Sequence, residues 1–218
     1  TYWTMYVLGG LSMGYLLVRH RDRYSLSVPK ALLFTLLLAL CGLTGAKLLS
    51  FLENGFVWGG VSFFGSVFLI PPLMGLLGLL FGLRPGQSLD ACAPCVAVMI
   101  AFMRFGCFLN GCCGGWEMVL GDFRFFWPTQ AMESIGDFCI LALLLRMEER
   151  NGHPGMRYAI FMVTYSFLRF FVEFLRDTPK EWLGLGHGQW FAVISCLIGG
   201  AFLLRERRAE KKQYLEEK

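Results

Sequence analysis

The chain has 218 residues, of which 56% are hydrophobic and only 17% are charged, and its formal net charge is +4. A water-soluble domain of this length does not combine so many apolar residues with so little charge, so the composition excludes a soluble enzyme. The carboxyl-terminal tail mixes basic and acidic residues, which argues against a nucleic-acid-binding arm, and we expect no nucleic-acid partner.

Apolar runs long enough to cross about 30 Å of hydrocarbon recur along the chain. We therefore predict an all-α, polytopic membrane protein with about seven transmembrane helices. In chain order, the predicted helices cover residues 2–18, 30–51, 57–83, 89–108, 128–145, 158–175 and 189–204. They form one transmembrane domain over residues 1–204, and the charged tail over residues 205–218 is predicted to extend the last helix into water.

The distribution of Lys and Arg orients these helices. If the amino terminus faces outward, all but six of the 20 Lys and Arg can be placed on the cytoplasmic side, in agreement with the positive-inside rule. The carboxyl terminus then lies in the cytoplasm. The six exceptions are Lys47, Arg104, Arg124, Arg169, Arg176 and Lys180.

The most unusual stretch runs from Arg104 to Gly115, at the outer end of the fourth predicted helix. Its four glycines favour a helix end, since an interior glycine costs about 1 kcal/mol relative to alanine. The stretch also brings Arg104, Asn110 and three cysteines to the membrane boundary. A tight turn with a snorkelling arginine would explain the pattern, but ionisable groups at this depth are costly and favour a binding or catalytic site.

Three further ionisable residues share one face of the sixth predicted helix, because Arg169, Glu173 and Arg176 are spaced i, i+4 and i+7. Such a column could simply tie helices together. One glutamate, however, cannot neutralise these two arginines and Arg104, so we expect spare positive charge. A phosphate group would complete the cluster, since guanidinium groups match phosphate geometry. We predict that Arg104, Arg169 and Glu173 bound a polar cavity that opens towards the bilayer.

Polar residues near the start of other predicted helices are interpreted first as residues that stabilise the first helical turn. Gln130 and Glu133 share a face of the fifth helix soon after Pro128, where the helix dipole favours an acidic residue. Asp90, followed by Pro94, is interpreted as a device that starts the fourth helix. Residues 116–127, between the fourth and fifth helices, are predicted to form a loop.

The chain has eight cysteines, and most of them lie inside apolar runs, where cysteine behaves as a small buried hydrophobe. Cys107, Cys112 and Cys113 instead cluster at the outer membrane boundary. Their spacing lacks the paired C-x2-C of structural zinc sites, so we predict no metal and no other cofactor. A disulfide on the oxidising side and a reactive thiolate beside Arg104 are open alternatives.

Seven segments, taken in chain order, resemble the motifs of the prolipoprotein diacylglyceryl transferase family and together span nearly the whole chain. They are Tyr2–Tyr6, Gly59–Gly65, Asp90–Pro94, Arg104–Gly111, Pro128–Glu133, Arg169–Glu173 and Gly188–Gln189. The resemblance implies an enzyme of the bacterial cytoplasmic (inner) membrane. By the same resemblance, the matching functional positions are Tyr2, Arg104, Gly115, Arg169 and Glu173.

Four positions depart from the family pattern. Phe64 and Trp127 stand where the family has histidines, Cys107 stands for an asparagine, and Cys112 stands for a glutamate. The lipid-holding, phosphate-facing residues are therefore kept better than the acid–base residues. The chain resembles a divergent, cysteine-rich branch of the family.

The resemblance implies a transferase that moves the diacylglyceryl group of phosphatidylglycerol to an acceptor thiol, which in the family is a lipoprotein cysteine. The expected catalytic residues are Arg104, Arg169, Glu173 and Cys112, with the arginines on the phosphate and Glu173 holding Arg169. The expected lipid-binding residues are Tyr2, Cys107, Asn110, Gly115, Gln130, Glu133, Arg176 and Gln189. The acceptor thiol must lose its proton, and Glu133, Glu173 or a local thiolate could take it.

The expected partners are phosphatidylglycerol, a lipoprotein precursor or another thiol acceptor, and the surrounding membrane lipids. Two other functions stay open. One is a non-catalytic homologue that binds phospholipid or lipoprotein. The other is a thiol-redox or metal-handling membrane protein that uses Cys107, Cys112 and Cys113.

Overall fold

The computed structural model of the chain describes residues 2–148, 153–179 and 183–216, without the side chains of Tyr2, Leu120, Glu148 and residues 209–216. Seven α-helices make up most of this part and confirm the all-α class. They are α1 (Tyr2–Arg19), α2 (Val28–Glu53), α3 (Phe63–Leu80), α4 (Pro85–Leu109), α5 (Thr129–Glu148), α6 (Met156–Glu173) and α7 (His187–Glu216). A short 3₁₀ helix, Arg21–Tyr24, follows α1.

Four of these helices, α2, α3, α4 and α7, are long and apolar enough to cross a membrane. Their outer surfaces are apolar as well: on α2, Leu32, Leu36, Leu40 and Leu43 are each about half exposed. A continuous leucine surface is unfavourable in water but normal against lipid. The chain is therefore a multi-pass membrane protein, while the total of seven spans and the outward amino terminus stay predictions.

Helix α4 lies at the centre of the bundle, where it contacts α1, α3, α5 and α6. Small side chains cover its surface, and Ala91, Cys92, Ala93, Cys95 and Ala97 are essentially fully buried. Small residues let helix backbones approach closely in a membrane, where lipid tails are as apolar as the helices themselves. Cys92 and Cys95 are therefore small core residues, in agreement with the sequence interpretation.

Two glycines set the distance between α2 and α3. A Cβ atom built on Gly65 would overlap with the backbone carbonyl of Gly45, and a Cβ atom on Gly45 would overlap with that of Gly65. Nearby, the Ser66 hydroxyl donates a hydrogen bond of 2.6 Å to the carbonyl oxygen of Gly42. Direct backbone contact of this kind is possible only where both helices lack side chains.

The third helix begins later than predicted, at Phe63 instead of Val57. The preceding residues, 54–62, follow an irregular path that is tied to the end of α2. Ser50 Oγ donates to the carbonyl oxygen of Gly59 at 2.6 Å, and Lys47 Nζ donates to that of Gly60 at 3.1 Å. Lys47, one of the six basic residues outside the predicted cytoplasmic set, thus fixes this connection.

Asp90 caps a helix, but not its own. It lies inside α4, and its carboxylate accepts backbone N–H bonds from Gly155 (2.8 Å), Arg157 (2.9 Å) and Tyr158 (3.3 Å) at the start of α6. The interpretation of Asp90 as the start signal of the fourth helix was therefore wrong. The carboxylate instead fixes the end of α6 that lies opposite the arginine cluster.

The segment predicted as a loop contains a β-hairpin. Strands β1 (Glu117–Leu120) and β2 (Phe123–Phe126) pair antiparallel, with Glu117 opposite Phe126 and Leu120 opposite Phe123. The hairpin stands between α4 and α5, at the same end of the bundle as the arginines. At the other end, α7 continues through Glu216, so the charged tail is a helical extension as predicted.

Candidate functional site

Glu133 is the centre of a buried ion-pair cluster at the hairpin end of the bundle. Its side chain is only 3% exposed, and Arg104 Nε lies 2.5 Å from Oε2. Arg169 Nη1 lies 2.6 Å from Oε1, and Arg176 Nη1 lies 3.5 Å from the same atom. Helix-start chemistry is therefore an insufficient explanation of Glu133, because its carboxylate joins guanidinium groups from α4, α6 and the turn after α6.

Glu173 forms the second acidic part of the cluster. Its Oε2 atom lies 2.6 Å from Arg169 Nη1, and its Oε1 atom accepts a hydrogen bond of 3.1 Å from the Thr178 hydroxyl. Gly188 packs against this pair, since a Cβ atom there would lie 3.2 Å from Glu173 Oε1 and 3.3 Å from Arg169 Nη2. Arg169 is thus held by two carboxylates, and both Glu173 oxygens are engaged.

The three arginines converge although only two of them lie on helices. Helix α6 ends at Glu173, so Arg176 belongs to the following turn and not to the helix face predicted from its spacing. Its backbone forms a β-bridge with Gly115, and its carbonyl oxygen accepts a hydrogen bond of 2.8 Å from Trp116 Nε1. Gly115 packs so tightly here that a Cβ atom would overlap with the Leu175 carbonyl.

A cavity of about 300 Å³ lies beside the cluster. Arg104, Arg169 and Arg176 line it, as predicted for the first two, whereas Glu173 stays behind Arg169 and does not form its wall. All three guanidinium groups contact Glu133, and Arg169 also contacts Glu173, so three positive charges share two glutamate carboxylates and leave a formal excess of one positive charge. The cavity wall is therefore suited to an anion, such as a phosphate, that accepts bidentate hydrogen bonds from guanidinium groups.

Phe64, which the sequence resemblance places where the family has a histidine, lies in the cavity wall. Its ring is buried and packs against Tyr165 and Phe191, with centroid distances of 5.8 Å to both rings. An aromatic hydrocarbon side chain neither takes nor gives a proton. Any acid–base chemistry in this cavity has to come from other groups.

The three clustered cysteines line the same cavity, and their Sγ atoms lie within 4.8 Å of one another. Two side chains of α5 fix the loop that carries them. Gln130 Nε2 donates to the Cys112 carbonyl oxygen at 2.6 Å, and Thr129 Oγ1 donates to that of Cys113 at 3.3 Å. In this loop, hydrogen bonding to Cys107 and then to Cys112, with the positive charges of nearby arginines, lowers the pKa of the Cys113 thiol to about 5.

An apolar groove of about 240 Å³ adjoins the polar cavity. Residues of α1, α2 and α4 form most of its wall. The groove and the cavity share Val61, Phe63 and Met103, so the two spaces are neighbours. Together they offer guanidinium groups at one end and hydrocarbon at the other, which is the polarity pattern of an anionic lipid.

Several expected site residues lie outside the cavity wall. Gln189 is buried, with its amide used by the Gly186 N–H (3.0 Å) and the Phe170 carbonyl (3.4 Å). Asn110 is exposed at the end of α4. Gly115 and Gln130 hold the backbone around the cavity, as described above. The side chain of Tyr2 lies outside the described part of the chain.

Sequence reasoning missed Asp137, which follows Glu133 by one helical turn. Its side chain is buried, and neither carboxylate oxygen has a hydrogen-bond partner among the described residues. The signal was available, because an aspartate inside an apolar run is costly in a membrane. Asp137 does not line the cavity described above.

The fold and the site define an α-helical integral membrane protein with a buried arginine cluster between a polar cavity and an apolar groove. A family model described as prolipoprotein diacylglyceryl transferase matches residues 1–205, and the chain belongs to that family.

Three relatives show how far the similarity extends. The phosphatidylglycerol–prolipoprotein diacylglyceryl transferase 2 of Clostridium perfringens is 34% identical over 141 residues, which cover 59% of this chain and 55% of that protein. The phosphatidylglycerol–prolipoprotein diacylglyceryl transferase of Bordetella avium is 31% identical over 183 residues, 74% of this chain and 67% of that protein. The phosphatidylglycerol–prolipoprotein diacylglyceryl transferase of Paracidovorax citrulli is 32% identical over 187 residues, which cover 72% of this chain and 64% of that protein. The chain thus spans between about half and two thirds of these relatives.

Proposed function

We propose that the protein is a membrane transferase that moves the diacylglyceryl group of phosphatidylglycerol to an acceptor thiol. One observation supports the proposal most strongly: three arginines line a cavity that adjoins an apolar groove. A phospholipid has matching parts, with a phosphate for the arginines and acyl chains for the groove. The names of the relatives supply phosphatidylglycerol as donor and prolipoprotein as acceptor.

The chemistry is a nucleophilic displacement at the carbon that joins the diacylglyceryl group of the donor to its phosphate. The acceptor sulfur, as thiolate, forms a bond to that carbon while the bond from carbon to the phosphate oxygen breaks. The electron pair leaves with this oxygen, and glycerol phosphate departs with one more negative charge than it had as a diester. Arg104, Arg169 and Arg176 would stabilise this growing charge, since fixed donors aimed at developing charge are worth several kcal/mol in a dry site.

Glu133 and Glu173 act in this proposal as positioning residues for the arginines. Their carboxylate oxygens are occupied by guanidinium groups and by Thr178. A carboxylate in this state has no free oxygen directed at a substrate thiol. Among the three proton acceptors considered from the sequence, the proposal therefore favours a group of the cysteine cluster that contains Cys107 and Cys112.

The expected setting is the bacterial cytoplasmic membrane, with lipids that enter sideways between the helices. The acceptor is then the cysteine of a lipoprotein precursor, presented at the hairpin end of the bundle. Phe64 supports a second candidate, a homologue that binds phospholipid without transfer, because the family histidine is replaced by an apolar ring. The two candidates differ in a single observable, the formation of a thioether product.

A transfer assay distinguishes them. The purified protein is incubated in phosphatidylglycerol nanodiscs with a peptide that carries a lipobox cysteine, and the peptide mass is measured. We expect a mass gain of one diacylglyceryl group, lost in Arg104→Ala and Arg169→Ala. Arg124→Ala is the matched control, since Arg124 is 71% exposed on the hairpin and pairs only loosely with Glu117 at 3.5 Å. Tight lipid binding without any mass gain would support the non-catalytic candidate.

A further inference from the structure

Three thiols meet at the wall of the polar cavity. The Sγ atoms of Cys107, Cys112 and Cys113 lie within 4.8 Å of one another. A zinc ion with bonds of about 2.3 Å to sulfur holds its sulfurs roughly 3.8 Å apart. Small side-chain rotations are therefore enough to place all three sulfurs on one ion.

The turn after α4 explains why the spacing of these cysteines gave no metal signal. Gly111 (φ +68°) and Cys113 (φ +62°) adopt left-handed backbone conformations. The chain folds back on the last turn of α4, and the Cys112 N–H donates to the Cys107 carbonyl oxygen at 3.2 Å. With the two hydrogen bonds from α5, this backbone is fixed in advance, as a metal-binding loop requires.

The surrounding charges suit an anionic metal centre. The arginine cluster has three guanidinium groups for the two carboxylates of Glu133 and Glu173, a formal excess of one positive charge. A zinc ion bound by three thiolates carries one net negative charge, and guanidinium N–H groups are strong donors to anionic acceptors.

The geometry points to a zinc site formed by the thiolates of Cys107, Cys112 and Cys113, with a fourth position that faces the cavity and takes the sulfur of the acceptor thiol. Three protein ligands and one exchangeable position are typical of a catalytic zinc ion, whereas structural sites use four protein ligands. The acceptor role rests on the proposed function, but the zinc site itself does not.

A zinc-bound acceptor would need no protein base, so zinc would replace the cysteine-cluster base of the proposed function, because the three thiolates would then be zinc ligands. When the acceptor sulfur binds zinc, its proton passes to solvent, because a coordinated thiol is deprotonated. The sulfur then forms its bond to the diacylglyceryl carbon, and the broken bond leaves its electron pair on the phosphate oxygen. The thioether product is uncharged and a weaker ligand, so it leaves the ion. Nothing is oxidised or reduced in this sequence.

Metal analysis of the purified membrane protein tests the site without any activity measurement. We expect one zinc per chain, with a loss of affinity of more than about tenfold in Cys107→Ser, Cys112→Ser and Cys113→Ser. Cys139→Ser is the matched control, because Cys139 is exposed on α5 outside the cavity. If a serine variant fails to fold, a second experiment uses the native protein. Its zinc is removed with a chelator, Co²⁺ is added in steps, and the thiolate-to-cobalt charge-transfer band shows whether the thiolates bind the metal.

The acceptor role is tested on the cobalt form. Adding the lipobox peptide should strengthen the charge-transfer band, because a fourth sulfur joins the ion, while the same peptide with serine for cysteine should not. A native protein that transfers lipid without bound zinc, or a disulfide within the trio, would overturn the zinc site and leave the proposed function standing. Zinc binding and a peptide-dependent band without lipid transfer would support the site and contradict the proposed function. If the charge-transfer band does not change when the peptide is added, the acceptor sulfur does not bind the metal.

Discussion

The change Glu133→Gln should destabilise the protein strongly, because Glu133 is the only carboxylate in the described structure that contacts three arginines. The substitution keeps the shape of the side chain and removes its charge. Arg104 and Arg176 then lose their ion-pair partner, while Arg169 keeps Glu173. Removing one partner of a buried ion pair costs about 3–5 kcal/mol, and we expect a decrease of this size in the free energy of unfolding.

The same variant should respond to the lipid around it. An anionic phospholipid that places its phosphate between the arginines replaces the missing charge, whereas a zwitterionic lipid brings its own positive group. A ligand at about one hundred times its dissociation constant adds about 2.7 kcal/mol. Phosphatidylglycerol should therefore restore much of the stability of Glu133→Gln, and phosphatidylcholine should restore less.

Equilibrium unfolding in lipid–detergent micelles, followed by tryptophan fluorescence, measures both effects. Glu117→Gln is the control, because Glu117 forms an exposed pair with Arg124 and such pairs contribute about 0–1 kcal/mol. If Glu133→Gln lowers the free energy of unfolding no more than Glu117→Gln does, Glu133 does not hold the three arginines together. If phosphatidylglycerol and phosphatidylcholine restore the stability of Glu133→Gln equally, an anionic lipid phosphate does not replace the missing carboxylate charge.

Further predictions concern the arginines, the helix contact and the orientation. Arg104→Lys and Arg169→Lys should recover little of the transfer lost in the alanine variants, because an ammonium cannot fork a phosphate; recovery to native rates would contradict a bidentate contact. Gly65→Ala should lower the free energy of unfolding by at least about 2 kcal/mol, since its Cβ atom overlaps with the Gly45 backbone, while Gly10→Ala, with open space around it, should be neutral. A reporter in the hairpin at residues 117–126 should lie outside and one after the tail in the cytoplasm; a cytoplasmic hairpin would reverse the orientation.

Local patterns predicted the parts of this molecule that depend on neighbours in sequence. Apolar runs predicted the helices, because a membrane span requires length and composition alone. The four-residue spacing of Arg169 and Glu173 predicted their ion pair, which is present at 2.6 Å. The mixed charges of the tail predicted a helical extension, and α7 continues through Glu216.

Contacts between distant segments were not predictable in the same way. Asp90 was assigned to its own helix, but its partners lie 65 to 68 residues later, at the start of α6. Glu133 looked like a helix-start residue because its three partners come from other segments. The cysteine cluster was judged by spacing, whereas two left-handed residues in the turn decide where the sulfurs lie.

The proposed transfer is tested by following both halves of the donor lipid in one reaction. Phosphatidylglycerol labelled separately in its diacylglyceryl and glycerol phosphate parts is mixed with the native protein and the lipobox peptide. We predict a thioether that carries the first label and free glycerol phosphate that carries the second, in equal amounts, with neither formed by Arg169→Ala. Release of diacylglycerol or fatty acid in place of these products, or unchanged turnover in Arg169→Ala, would contradict the proposed transfer.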